Sequence, residues 1–153
     1  MYSYGKNYGG VLALDYKLLD FIDLISERHV YIRSHIEKLW NEKYEIKINN
    51  TEWHVIAKLY SGMDTIADIT RQVHVSRQAT HKLIKNLEQK QLIEIYDDQF
   101  NKKIKKVRLT KFGIQCYEQY LAIKKQVEAL IEQSIGSTLY QQVKKGLSMN
   151  WKQ

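Results

Sequence analysis

Residues 65–94 read TIADITRQVHVSRQATHKLIKNLEQKQLIE. Thr65 with Asp68 three positions on is an N-cap pattern, in which a short side chain accepts from an orphan backbone N–H of the first turn. It opens a short helix holding Ile66, Ala67, Ile69 and Val73. Ser76 is a second cap. The helix that follows buries Ala79, Thr80, Leu83, Ile84 and Leu87 at helical spacing. Its other side carries Arg77, Gln78, His81, Lys82 and Lys85. A surface helix is basic for solubility alone in many proteins, so only the surroundings of this face can give it a purpose.

Upstream, Asn49 and Glu52 fit a reciprocal cap, in which each side chain meets a backbone donor of the other. Trp53, Ile56, Ala57, Leu59 and Tyr60 then form an apolar face, and Ser61-Gly62 ends the helix. Downstream of Gln91 the period changes to two. LIEIY (92–96) and KVRLT (106–110) alternate and carry β-branched residues, which predicts two short strands. DDQFNKKIK (97–105) joins them, polar and turn-prone with a basic second half.

Three short helices followed by a hairpin form a winged helix-turn-helix. The major groove of B-DNA is ~12 Å wide and admits one helix. A second, shorter helix crosses it to hold its angle. TIADITRQV is expected to brace and SRQATHKLIKNLEQK to read. The hairpin tip, Asn101 to Lys105, is expected to reach a neighbouring groove or phosphate track. The basic side of the reading helix is what remains after its apolar side is packed.

Long helices flank this lobe. Val11, Leu14, Leu18, Ile22, Ile25, Ile32, Ile36 and Leu39 step mostly by threes and fours. They predict one helix from near Val11 to about residue 40, about 30 residues and ~45 Å long. The first ten residues read as a loose arm. Thr110 caps a further helix over Lys111 to Gln133, with more than one apolar stripe. Gly136-Ser137 breaks it, and a last helix places Leu139, Tyr140, Val143 and Leu147 on one side. The expected fold is mainly α with a small β-hairpin wing. It is one domain over 1–153, with residues 49–110 as the winged lobe and 11–40 and 111–150 as dimerisation helices.

Composition narrows the class. The chain has 153 residues, 24 Lys+Arg against 17 Asp+Glu, and a formal net charge of +7. That favours a polyanionic partner. With 44% hydrophobic residues the chain is no disordered basic tail. A single cysteine, Cys116, excludes an intrachain disulfide and fits a reducing, cytoplasmic setting. No run is apolar enough to span a membrane, and the first residues lack the apolar block of a signal peptide. Proline is absent, which suits long helices. There is no phosphate-binding glycine loop, no His-Glu-x-x-His and no serine on a tight turn, so an enzyme is not expected.

In this order of elements the chain resembles the MarR-type transcriptional regulators, over about Val11 to Met149. The features that carry the likeness are TEWHVIAKL (51–59), the quoted stretch, the wing ending in VRLTKFG (107–113), one long helix before and two helices after. The resemblance implies a dimer with interdigitating terminal helices, which suits the overlong first helix. It also implies a repressor that releases DNA on binding a small ligand, a metal or an oxidant. Two positions depart from the family pattern. The glycine common before the first wing strand is Gln91, and the Asp-Arg-Arg run of the wing is Asn101, Lys102 and Lys103. Lysine keeps the charge but lacks the guanidinium fork, so looser groove or phosphate contact is expected there.

The expected DNA contacts are Ser76, Arg77, Gln78, His81, Lys82, Lys85, Lys102, Lys103 and Lys105, with Lys106 and Arg108 as additions. Arg77 and Gln78 suit guanine and adenine edges; phosphate contact or plain solvation is the alternative. His81 suits a base or a phosphate, and Lys82 and Lys85 suit backbone. Ser76 is primarily a cap. Tyr16, Phe21, Tyr31, Trp53 and Tyr117, with Trp40 and Tyr120, are candidates for a small-molecule effector pocket, against the ordinary reading of core aromatics. His29 interrupts the aliphatic seam and reads as a core histidine rather than a pH- or metal-sensing residue. Cys116 reads as a small buried hydrophobe rather than a redox sensor. No histidine pair stands at metal-ligand spacing, and the zinc- and oxidation-sensing branches of the family place their residues where this chain has none. No metal or cofactor is expected. The reading that follows is a homodimeric, sequence-specific regulator, a repressor of a pseudo-palindromic operator. The competing class is a winged-helix protein-interaction module, whose docking face would be more apolar.

Overall fold

The computed structural model describes residues 15–152. Among them the chain forms α1 (Phe21–Lys43), α2 (Asn50–Tyr60), α3 (Ile66–Val73), α4 (Arg77–Gln89), β1 (Ile93–Asp97), β2 (Lys105–Leu109), α5 (Lys111–Ile135) and α6 (Ser137–Ser148). A single 3-10 turn, Tyr16–Leu18, precedes α1.

The caps expected of α2 to α5 all form. Asn49 Oδ1 accepts from Glu52 N while Glu52 Oε2 accepts from Asn49 N, both at 2.9 Å. Thr65, Ser76 and Thr110 accept from Asp68, Ala79 and Gly113 backbone N–H groups at 3.0–3.1 Å. The strands pair antiparallel with Ile93 opposite Leu109 and Ile95 opposite Val107, so one face of the hairpin turns inward. Val107 N also donates to Asp64 O at 2.8 Å, and Thr65 bridges to Lys106, which ties the wing to the loop before α3.

The first helix is shorter than its apolar pattern predicts. Asp15 caps the 3-10 turn and Asp20 then caps α1, accepting from Asp23 N at 2.9 Å. Leu19 and Asp20 between them are extended. Two aspartates in cap geometry offer the backbone an alternative to helix, and that overrides the periodicity. Twenty-three residues span ~35 Å rather than ~45 Å. Val11, Leu14 and the N-terminal arm lie outside the described residues. Leu18, Ile22 and Ile25 of the expected seam are exposed in the single chain; Ile36 is buried.

One core runs through both lobes. The Trp53 ring of α2 stacks on Tyr120 of α5 at 4.0 Å and meets Trp40 of α1 edge-on at 4.8 Å. Trp40 Nε1 donates to Ile46 O at 2.8 Å, and Arg33 donates to the Tyr120 hydroxyl at 2.9 Å. The polar ends of these buried aromatics are thus satisfied. Ile69, Ile84, Leu87, Leu92, Ile93 and Val107 complete the winged half. Cys116 is buried among them, and burial pushes its thiol pKa up. Among the described residues no helix is long and apolar enough to cross a membrane.

Candidate nucleic-acid interface

Helix α4 buries Thr80, Ile84 and Leu87, so the rows beside them are left to solvent. All nine expected contact residues are exposed. The structure sorts them into two groups. Arg77 and His81, one turn apart, face the wing across a cleft of about 580 Å³ whose far side is Lys103, Ile104 and Lys105. Gln78, Lys82 and Lys85 lie on the next row of the helix surface, outside that cleft. Ser76 is engaged as the cap of α4, and its carbonyl also accepts from the Thr80 hydroxyl at 3.1 Å. The first turn of α4 holds no acidic residue.

The wing cations differ in their freedom. Lys105 is ion-paired with Asp97, and Arg108 with Glu94 while lying over the Tyr96 ring at 4.6 Å. Lys106 grips Asp64 at 3.1 Å and Asp98 at 3.2 Å. These two carboxylates hold the Lys106 pKa above its ordinary value; Lys106, with the Phe100 backbone N–H, holds Asp98 below the usual carboxylate range. Lys102 and Lys103 are in no ion pair among the described residues. Lys106 and Arg108 therefore act in holding the hairpin, whereas Lys102 and Lys103 stand exposed at its tip.

The cleft has a floor that the sequence reading passed over. Thr65, Ile66, Ala67, Thr70 and Arg71 of the bracing segment line it. Arg71 pairs with Asp68, whose carboxyl the Thr65 hydroxyl and then Arg71 hold below its ordinary range. The signal was there: Thr70 and Arg71 occupy the polar side of a short amphipathic helix, with the exposed Ala67 beside them.

The five pocket aromatics are not brought together. Trp53 and Tyr117 are core residues; Trp53 stacks on Tyr120, and Tyr117 meets Tyr60 at a tilt. Tyr16 lies under the Arg28 guanidinium at 4.0 Å, Phe21 leans on Trp151, and Tyr31 stacks on His35 at the surface. The long helices instead enclose a different cleft, about 590 Å³, between α1, α5 and α6. Its walls are Ile32, Ile36, Val127, Ile131, Ile135, Val143 and Leu147. His29 lines its rim and is exposed, not a core histidine, because α1 turns that part of its seam away from the single-chain core.

Residues 48–105 match the family model described as MarR family. That span, 58 of the 153 residues, is similar to the MarR family. The matched span opens at Ile48, beside the cap of α2, and closes on Lys105 at the start of β2, so it holds α4 and the tip of the hairpin. No curated protein matches the chain in sequence. Among solved structures, the fold recurs in MepR, a transcription regulator of the Staphylococcus aureus multidrug efflux pump MepA. The TM-score is 0.70 and the identity 23%, over 85% of this chain and 95% of that one. The S. aureus MepR–DNA complex is similar at TM-score 0.68 and 22% identity, over 85% and 95%. The transcriptional regulator PA4135 follows at 0.66 and 16%, over 84% and 93%. At these identities the likeness is one of fold.

Proposed function

We propose that the chain is a transcriptional regulator that binds duplex DNA as a homodimer and represses a pseudo-palindromic operator. The observation that carries this reading is the cleft in which Arg77 and His81 of the reading helix oppose the lysines of the wing. An anionic backbone laid along it meets cations from two elements, while Arg77 and Gln78 in the first turn remain available to base edges and Lys82 and Lys85 to the opposite phosphates. The MepR–DNA complex, of the same fold, supports DNA as the partner. The apolar cleft between α1, α5 and α6, with Val143 and Leu147 exposed at its lip, suits the terminal helices of a second copy. Two reading helices would then enter successive major grooves with centres ~10 bp apart. A small-molecule effector would act by changing that separation.

Selection from a randomised duplex pool at moderate salt tests the reading, with Arg77→Ala and Lys103→Ala beside the parent. An enriched inverted repeat is expected, with Arg77→Ala relaxing preference at one base position per half-site. Sedimentation should give a dimer at micromolar concentration. A monomer there sinks the dimeric reader. If no motif emerges and both variants weaken binding evenly, the face is a general polyanion surface and a protein-docking role moves forward. The effector is tested separately, by asking whether phenolic or planar ligands alter DNA binding or thermal stability.

A further inference from the structure

We infer that Phe100 is an apolar wedge with which the wing enters the minor groove, a contact that rests on the DNA-binding reading above. Phe100 stands at the tip of the hairpin and is 94% exposed. Singly exposed apolar residues are common, so exposure alone decides nothing. What distinguishes this ring is the turn that presents it. The Asp98 carboxylate accepts from Phe100 N at 3.0 Å and from Asn101 N at 2.9 Å. Asn101 Oδ1 accepts from Lys103 N at 3.1 Å. Asp98 N donates to Ile104 O at 3.0 Å, and Ile104 N to Asn101 O at 2.9 Å. Beneath them Lys106 locks Asp98 to Asp64 of the helical lobe. A turn this constrained holds the ring in place before any partner arrives, so little ordering entropy is lost when the ring is buried.

The neighbours say what buries it. Lys102 and Lys103 follow directly and are in no ion pair among the described residues, and Ile104, half-exposed, continues the apolar surface into the cleft beside Arg77. An aromatic ring flanked by uncommitted cations fits a surface that is anionic at its edges and apolar within. The minor groove has phosphates along both rims and deoxyribose C–H groups as walls, and apolar side chains that enter it pack on those walls or between base steps. The tip, residues 98–105, holds no arginine. Reading of a narrow groove by an inserted guanidinium is therefore not available to it; the tip's lysines suit the phosphate rims, and Phe100 is the side chain that can pack on the apolar walls. Guanine amino groups would obstruct the ring, so the contacted positions should be A·T-rich.

The test is the affinity of the full chain for its selected duplex across a range of salt, for the parent, Phe100→Ala, Phe100→Leu and Lys103→Ala. Removing a neutral side chain releases no counterion, so Phe100→Ala is expected to bind ~10-fold more weakly at every salt with the parent's slope. Phe100→Leu should stay within ~3-fold of the parent, since leucine also serves as a wedge. Lys103→Ala should lower the slope by about one. Thermal unfolding of Phe100→Ala should match the parent, because the ring supports nothing in the fold. Parent-like affinity in Phe100→Ala overturns the wedge and leaves the DNA-binding reading standing. Loss of the dimer in that variant also overturns it, by placing the ring at a protein contact. A parent that binds no duplex at any salt removes both.

Discussion

The Glu52 carboxylate, 1% exposed, receives Lys90 Nζ at 2.8 Å on both of its oxygens. Glu52 lies in the first turn of α2 and Lys90 caps the end of α4, so the pair clamps the exit of the reading helix to the start of its neighbour. Lys90 also donates to Lys47 O at 2.7 Å. Removing one partner of a buried pair costs roughly 3–5 kcal/mol, and about 2 here because Lys90 is one-third exposed. Lys90→Met should lower urea stability by that amount. Lys90→Met with Glu52→Gln should recover much of it, since no charge is then stranded; an unchanged midpoint for Lys90→Met alone would refute the clamp.

Gly113 in the first turn of α5 is a matter of space rather than backbone freedom. A β-carbon there would collide with the Leu92 carbonyl, at the point where β1 leaves α4. Leu92 O also accepts from Thr110 N at 3.1 Å, so it cannot swing aside freely. Gly113→Ala should destabilise by about 3 kcal/mol, the upper range of overpacking. Chemical denaturation reads this directly, and a loss below half that figure would mean the helix start can slide.

Gln91 sits at φ 60°, in the left-handed region that costs a side chain about 1 kcal/mol or more. This is the position where related wings carry glycine, and the geometry supplies the reason. Gln91→Gly is expected to stabilise by about 0.5–1 kcal/mol after the added freedom of the unfolded chain is subtracted. Gln91→Val should destabilise. Equal melting temperatures for the three proteins would show that the strain is relieved some other way.

Asp98 and Lys106 set a pH window for the wing. Asp98 has a lowered pKa, so its contribution is present above the unfolded carboxylate value and is lost only as pH falls through the folded one. Lys106 has a raised pKa, so its share is present below the unfolded lysine value and is lost only as pH rises through the folded one. Between about pH 4 and about pH 10.5 the anchor should stay intact. Hydrogen exchange at the Phe100 and Asn101 amides, compared with Asp98→Asn at the same pH, checks this. Protection that is already lost in the parent at pH 6 would contradict it.

Lys82 and Lys85 occupy the outer row of α4, away from the cleft. Each replaced by alanine should weaken duplex binding evenly across sequences and reduce the salt slope by about one. A change in base preference in either variant would reassign it to direct readout.

Most of the lobe was legible because its signals are local. Asn49–Glu52, Thr65–Asp68, Ser76 and Thr110 are caps whose partner is three residues away, and each forms as read. The alternation of LIEIY and KVRLT needed only the period. The start of α1 was misread because Leu18, Ile22 and Ile25 keep the helical step through a break that only the backbone of Leu19 and Asp20 reveals. The candidate contact residues of α4 and the wing were chosen by type, and their division into a cleft group and an outer row depends on how the hairpin folds against α3 and α4. The aromatics show what residue type alone leaves open: Trp53 and Tyr117 are core and Tyr31 lies at the surface, and only packing separates them.

The burial of Cys116 has a practical consequence. The chain's single thiol is enclosed and held protonated, so sulfhydryl reagents should pass it by in the folded protein. In the homodimer proposed above, a cysteine introduced at the exposed wing, as Lys102→Cys, would then be the only reactive thiol on each copy. Paired spin labels or fluorophores attached there would measure the separation of the two wings, with and without DNA or a candidate effector, and no native residue would have to be stripped first.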